Sequence, residues 1–144
     1  MTPVIQQNVS LRAFNTLALP STAEYFCSVS EHSQLLQALE FARTSALVVT
    51  IIGGGSNIVL AGDIPGLVIQ IDLRGVSHRY VTAAGNAAGD LANAVDVTFA
   101  AGENWHQQVL FCLDQGWYGL ENLSLIPGTM GAALIQNIGA YGVE

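Results

Sequence analysis

The hydrophobic pattern of the first half of the chain predicts strands on either side of a helix. Residues 24–29 have the pattern of a short strand, and residues 47–52 form an almost unbroken apolar run rich in β-branched side chains. Such a run is typical of a strand buried on both faces, although its pattern alone does not distinguish it from a buried helix. Residues 67–71 predict a further strand.

A helix is predicted between the first two strands, with Ser30 as its N-cap and Glu31 in its first turn. A strand, a helix and a strand in this order predict a right-handed βαβ unit whose helix covers the sheet. The inward apolar stripe of the helix is predicted to contain Leu35, Leu36, Leu39 and Ala42.

The second half of the chain predicts two strands and a second helix. The strands are expected at residues 79–82 and 95–100, joined by a surface loop of small and polar residues at 83–93. The helix is expected to begin after Asn104 as its N-cap and to end at Gly116 in a left-handed conformation.

Two side chains of this second helix are candidate reactive groups. Cys112 shares an apolar stripe with Trp105 and Val109, which predicts a buried and inert thiol. His106 is expected at the surface, because its position lies off that stripe.

Composition narrows the classes of function. Hydrophobic residues make up 51% of the 144 residues and charged residues only 10%, which favours an apolar surface that meets a further segment or a buried cofactor. The net charge of −7 and the lack of any basic patch argue against nucleic-acid binding. No apolar run reaches transmembrane length, and the start of the chain lacks the features of a secretory signal. Two widely separated cysteines predict neither a disulfide framework nor a metal site and suit a reducing cytoplasm.

The 47–52 strand leads into a glycine loop, which we define as Gly53, Gly54, Gly55, Ser56 and Asn57. Glycines at a strand end permit positive φ and leave no Cβ against a ligand, and their N–H groups can line an anion-binding nest. Ile58 stands where a dinucleotide fingerprint needs its third glycine, and the chain has no lysine for a Walker loop. The sequence therefore predicts a strand–loop–strand arrangement that either binds an anion or is simply a tight turn.

Residues 116–142, which we call the C-terminal segment, are also rich in glycine and small residues. A turn at Pro127-Gly128 precedes residues 129–133, which predict a short helix with free N–H groups at its start. Gln136-Asn137 offer amide groups suited to the edge of a heterocycle. A ligand site and a packed glycine-rich loop are both compatible with this pattern.

Several motifs occur in the order typical of one family. Phe-Asn-Thr-Leu at 14–17, the glycine loop, Ala-Gly-Glu-Asn-Trp at 101–105 and Gly-Leu-Glu-Asn-Leu at 119–123 are followed by Ile-Pro-Gly-Thr at 126–129 and Gln-Asn-Ile-Gly-Ala-Tyr-Gly-Val-Glu at 136–144. This ordered set resembles the UDP-N-acetylenolpyruvoylglucosamine reductase (MurB) family. The resemblance covers nearly all of the chain and is strongest at 137–142.

The resemblance implies a flavoenzyme of peptidoglycan precursor synthesis. NADPH would reduce FAD, and hydride would then pass to the enolpyruvyl ether of a UDP-sugar, giving UDP-N-acetylmuramate. The implied fold is α+β, the FAD-binding fold of the vanillyl-alcohol-oxidase (PCMH) type rather than a Rossmann fold. We expect two small lobes around an extended FAD, at residues 1–66 and 67–144, the second incomplete.

The resemblance also assigns roles to residues. It places the glycine loop on the FAD pyrophosphate and Tyr141 in the substrate region. It implies further FAD contacts from two parts of the C-terminal segment, 126–132 and 136–139, through Ile126, Pro127, Gly128, Thr129, Gly131, Ala132, Gln136, Asn137 and Gly139.

The same resemblance predicts no catalytic residue within 1–144. The serine, arginine and glutamate of the family's chemistry belong to segments not present, so we expect a chain truncated at residue 144 that is inactive alone. Gly54 stands where the family usually has an acidic residue, and Ala132-Ala133-Leu134 replace a frequent hydroxyl pair and proline. The alternatives are another FAD-dependent oxidoreductase of this fold, or a non-catalytic module that keeps its glycine-rich loops only as turns.

Overall fold

The computed structural model describes residues 2–81 and 94–143, so the loop predicted at 83–93 lies outside the described part. Three short 3₁₀ turns occur at Arg12–Phe14, Glu121–Leu123 and Met130–Ala132. The strands and helices, in chain order, are β1 (Gln6–Ser10), β2 (Thr22–Val29), α1 (His32–Thr44), β3 (Val49–Ile52), β4 (Ile64–Ile71), β5 (Val76–Tyr80), β6 (Val95–Phe99), α2 (Trp105–Asp114) and α3 (Ala133–Gln136).

The first four strands form one sheet in the order β1-β2-β4-β3. β4 pairs in parallel with both β2 and β3, whereas β1 pairs antiparallel with β2. The predicted unit of strand, helix and strand is therefore present as β2-α1-β3, with β4 inserted between its two strands. β5 and β6 form a separate antiparallel pair.

The strand buried on both faces is β4 rather than β3. Leu67, Val68 and Ile69 of β4 are completely buried. In β3 only Ile52 is buried, while Ile51 is 59% exposed, and Val48 just before the strand is 72% exposed. The prediction that residues 47–52 are buried on both faces is thus wrong, because β3 lies at the edge of the sheet formed by the described residues.

α1 packs on one face of the sheet through small residues, and Leu36 and Leu39 of the predicted stripe are exposed. Its N-cap is Glu31 rather than Ser30, because Glu31 has an extended backbone (φ −132°, ψ 148°) and forms a reciprocal capping box with Gln34, whose side chain accepts from the Glu31 N–H at 3.2 Å. The core on this face comprises Cys27, Val29, Ala38, Ala42, Leu67 and Ile69. The core on the opposite face comprises Leu11, Ala23, Phe26, Ile52 and Val68.

The lobe boundary predicted after residue 66 falls inside β4, whose residues beyond that point remain paired with β2 and β3. Gly66 has φ +79°, and a Cβ on it would lie 2.2 Å from the carbonyl oxygen of Val48. Its N–H donates to the carboxylate of Glu24 at 2.7 Å. The glycine therefore marks an irregularity within a strand, and a boundary between two lobes, which stays a prediction, fits better after Ile71.

The second half forms largely as the pattern predicts. The expected strands at 79–82 and 95–100 correspond to β5 and β6, with β5 displaced toward the N-terminus. The Asn104 side chain caps α2 by accepting from the N–H of Gln107 at 3.0 Å, and Gly116 adopts φ +75°. No helix of the described residues combines the length and apolarity that a bilayer crossing requires.

Candidate functional site

The glycine loop leaves β3 and rests on a turn near the N-terminus. The buried Asn15 side chain donates to the carbonyls of Leu11 and Leu19 at 2.8 and 3.1 Å and accepts from the N–H of Leu19 at 2.8 Å. The next N–H, that of Thr16, donates to the carbonyl of Gly55 at 3.1 Å. The side chain of Asn15 thus fixes a turn, and this turn supports the glycine loop through the Thr16–Gly55 hydrogen bond.

Gly55 is the point of closest approach between the loop and this turn. It has φ +68°, and a Cβ on it would lie 2.0 Å from the carbonyl oxygen of Phe14. Only glycine combines this backbone conformation with such a contact. Gly54 differs, because a Cβ there would meet Thr129 at an ordinary distance of 3.6 Å.

The C-terminal segment folds back directly onto the glycine loop. A Cβ on Gly53 would lie 2.5 Å from the Thr129 hydroxyl oxygen. A Cβ on Gly128, whose φ is +124°, would lie 3.1 Å from the Ser56 hydroxyl oxygen and equally close to the Gln136 side-chain nitrogen. The two glycine-rich regions therefore face each other.

The start of α2 holds the C-terminal segment in this place. The N–H of Trp105 donates to the carbonyl of Gly128 at 3.0 Å, and the N–H of Met130 donates to the carbonyl of Glu103 at 2.8 Å. The indole N–H of Trp105 also donates to the carbonyl of Leu123 at 2.7 Å. These three hydrogen bonds, rather than the ladder of a regular sheet, hold residues 123–130 in place.

Two adjoining clefts lie where the regions meet. The first has a volume of about 220 Å³ and the second about 300 Å³. Both are lined by Ser56, Asn57 and Gln136, so they meet at these three residues. The first cleft is otherwise lined by Gly53, Gly54, Gly55, Thr129, Gly131, Ala132 and a set of apolar side chains, and the second by Ile126, Pro127, Asn137, Ile138 and Gly139.

The structure therefore gathers nearly every residue predicted for the cofactor. Gly128 lines neither cleft but is buried between Ser56 and Gln136. Tyr141 is absent from both linings, is 89% exposed and has φ +54°, in a short hairpin closed by mutual hydrogen bonds of Ala140 and Val143. Sequence reasoning missed the apolar lining side chains Ile51, Ile52, Ile58, Ile71, Ala101 and Ile135.

The polar chemistry of the clefts comes from the backbone, amides and hydroxyls. No charged side chain lines either cleft within the described residues. Across residues 2–81 and 94–143, the N–H groups of the glycine loop and those of Gly128 and Thr129 donate to no protein acceptor. The Ser56 hydroxyl is buried and has no partner among the described residues. Such unpaired donors suit an anionic or heterocyclic ligand.

Other reactive groups lie outside the clefts. Burial raises the pKa of the Cys112 thiol, and likewise that of Cys27, which keeps both protonated. The prediction of a buried thiol at Cys112 is confirmed. His106 is half-buried and accepts a hydrogen bond, so its predicted surface position is only partly right. The described residues contain no cluster of three or more His, Cys, Asp or Glu side chains able to hold a metal ion.

Comparison with known proteins identifies the class that this arrangement represents. The chain belongs to the FAD binding domain family, which matches residues 23–144. It is similar to the UDP-N-acetylenolpyruvoylglucosamine reductase of Bordetella pertussis, with 51% identity over 142 residues, covering 99% of this chain and 38% of that protein. The reductase of the same name from Pseudomonas putida is 46% identical over 144 residues, covering 100% of this chain and 40% of that protein.

A solved structure supports the same fold. The crystal structure of UDP-N-acetylenolpyruvylglucosamine reductase (MurB) from Thermus caldophilus superposes with a TM-score of 0.69 and 23% identity, covering 98% of this chain and 45% of that one. The predicted α+β FAD-binding fold and the resemblance noted from the motifs are thus confirmed. The chain spans about two fifths of the length of the curated relatives it matches.

Proposed function

We propose that this chain is the FAD-binding part of a UDP-N-acetylenolpyruvoylglucosamine reductase. The observation that carries the proposal is the pair of clefts between the glycine loop and the C-terminal segment, lined by unpaired N–H groups and the unpartnered Ser56 hydroxyl. The donor set fits FAD, because a diphosphate accepts several hydrogen bonds and a flavin ring is flat and largely apolar.

The glycine loop is the proposed seat of the pyrophosphate. With a net charge of −7 and no cation among the described residues that line the clefts, the chain is expected to neutralise a diphosphate with N–H dipoles rather than with side-chain charges. Ser56 adds a hydroxyl donor at the junction of the two clefts. Gly53 and Gly54 keep this face of the loop free of side chains.

The remaining cofactor residues are proposed to line the rest of FAD. Thr129, Gly131 and Ala132 share the first cleft with the glycine loop, and Ile135 extends its apolar wall. Gln136 and Asn137 line the second cleft, and the donors and acceptors of their side-chain amides suit the polar edge of the flavin. Its other proposed contacts are Ile126, Pro127 and Gly139, and buried Gly128 brings the two regions together.

The overall reaction extends beyond this chain. Bound FAD would supply hydride transfer from NADPH to the enolpyruvyl ether of a UDP-sugar, in peptidoglycan precursor synthesis in the cytoplasm. Among residues 2–81 and 94–143, no charged or acidic side chain that could serve as a proton donor lines the clefts. We therefore assign this chain the tasks of binding and orienting the cofactor, and we propose that Tyr141, which is exposed outside both clefts, contacts the substrate.

Ser56 offers a sharp test of cofactor binding. We expect Ser56→Ala to bind FAD about tenfold more weakly, because a hydrogen bond to an anionic group is lost. Stability should be unchanged or slightly higher, since the buried hydroxyl has no protein partner to lose. Flavin fluorescence titration and urea denaturation measure the two effects, and Ser28→Ala, at an exposed position of β2, is the matched control.

The outcomes separate the competing functions. A chain that stays colourless and leaves flavin fluorescence unchanged at high FAD concentration would refute cofactor binding and support glycine-rich regions that are only turns. If FAD binds but the complete gene product fails to oxidise NADPH with the UDP-enolpyruvyl sugar, the protein is another oxidoreductase of this fold.

A further inference from the structure

The first two residues of α2 hold both ends of one turn in the C-terminal segment. The N–H of Trp105 donates to the carbonyl of Gly128 at 3.0 Å. The next residue, His106, uses its Nδ1 atom to accept from the N–H of Leu125 at 3.1 Å. The turn at 125–128 is thus attached at each end to the same helix terminus.

Leu125 has a backbone conformation that needs such support. Its φ is +65°, a left-handed value that is unfavourable for any residue with a Cβ. Its side chain is 77% exposed, so packing contributes little to holding it there. Its N–H donates to Nδ1 of His106, so this hydrogen bond acts directly on the backbone of Leu125.

The turn matters because its central residues line the second cleft. Ile126 and Pro127 follow Leu125 directly and share the second cleft with Ser56 and Gln136. We propose that His106 is a positioning residue for the flavin site: it holds Leu125 in the left-handed conformation and so places the turn against the cofactor. This inference rests on the proposed function for its cofactor, but the hydrogen bond itself does not.

The proposal specifies the state of the imidazole. Nδ1 must be an unprotonated acceptor, so the neutral ring carries its proton on Nε2. An asparagine at this position can supply an oxygen attached to Cγ, where histidine has Nδ1, whereas leucine supplies no acceptor. Asparagine should therefore preserve the contact and leucine should abolish it.

Two measurements on His106→Leu, His106→Asn and the neighbouring exposed control Gln107→Leu test the role. With FAD as the titrant and flavin fluorescence as the signal, we expect His106→Leu to bind about five- to tenfold more weakly, as for one lost hydrogen bond. His106→Asn and Gln107→Leu should stay within about twofold of the parent. In the FAD-free chain, the Leu125 amide of His106→Leu should exchange with solvent at least about tenfold faster.

The results distinguish this inference from the cofactor proposal. If the parent binds no FAD, the proposed function fails, and amide exchange alone decides whether His106 holds Leu125. Equal FAD affinities and equal Leu125 exchange in parent and His106→Leu overturn the inference. Equal weakening by leucine and asparagine also overturns it, because the acceptor atom would then be irrelevant.

Discussion

Alanine substitution along the glycine loop should affect stability very differently at neighbouring positions. At Gly55, φ is +68°, and an added Cβ would lie 2.0 Å from the carbonyl oxygen of Phe14 and 2.9 Å from the Cα of Asn15. All of these contacts involve backbone, which cannot rotate away as a side chain can. The left-handed conformation costs alanine about 1–2 kcal/mol, and forcing an atom into a packed contact costs about 1–3 kcal/mol more.

We therefore expect Gly55→Ala to lower the free energy of unfolding by about 2–5 kcal/mol. Gly54→Ala is the control, because its Cβ would make only van der Waals contacts, at 3.6 Å from a Thr129 methyl group and 3.8 Å from the Cα of Gly128. Its stability should stay within about 1 kcal/mol of the parent, with a small gain from the less flexible unfolded chain.

Urea denaturation followed by tryptophan fluorescence measures both changes, and FAD titration shows whether the loop keeps its shape. Gly55→Ala should lose most of its FAD affinity, because the loop must lift from the Asn15 turn to relieve the contact. Equal stability of Gly55→Ala and the parent would refute this reasoning. A loss of unfolding free energy in Gly54→Ala as large as that in Gly55→Ala would also contradict it.

Three further predictions concern the contacts that shape the site. Gly53→Ala should lower the free energy of unfolding by about 1–3 kcal/mol, because the new Cβ would clash with the Thr129 hydroxyl. Adding Thr129→Ala to the same chain should recover most of that loss. If the two substitutions change the free energy of unfolding additively in a double-mutant cycle, the contact is contradicted. Asn15→Ala should lower the free energy of unfolding, measured by urea denaturation, by about 2–4 kcal/mol, because it removes three hydrogen bonds. A change below about 0.5 kcal/mol would show that the turn forms without them. Because burial raises the pKa of Cys27 and Cys112, iodoacetamide at pH 8 should label neither thiol until urea unfolds the chain. Labelling of the folded chain would contradict this prediction.

The sequence located the glycine loop correctly but misjudged the strand that leads into it. Residues 47–52 are apolar enough for a central strand, yet β3 lies at the edge and Ile51 is exposed to the first cleft. The hydrophobic pattern indicates which side chains are apolar, but it does not indicate whether a protein core or a ligand covers them. A wall of a ligand cleft and a protein core therefore give the same pattern.

Pro65 and Gly66, at which the sequence predicts a lobe boundary, lie inside strand β4. Such residues usually mark breaks between elements. Here Gly66 allows β4 to approach the carbonyl of Val48 while the strand continues, and the pairing register with β2 shifts at the same place. A local sequence pattern does not separate an irregular strand from a break.

The parts of the site that come from distant segments could not be predicted from local pattern. Ile71 at the end of β4 and Ala101 before α2 both line the first cleft, although Ile71 belongs to no motif and the motif at 101–105 was assigned no contact with the cofactor. Their places depend on the register of the sheet and on the N–H of Gly131 donating to the carbonyl of Ala101 at 2.9 Å. The glycine motifs, in contrast, were readable because close backbone contact excludes other residues.

The edge position of β3 has a practical consequence for handling the protein. Within the described sheet, the outer side of β3 presents unpaired backbone groups, and the exposed side chains of Val48 and Ile51 add apolar surface beside them. An open apolar edge is a template on which a second molecule can add its own strand. Aggregation should therefore begin here as concentration rises, and a ligand that covers Ile51 should delay its onset.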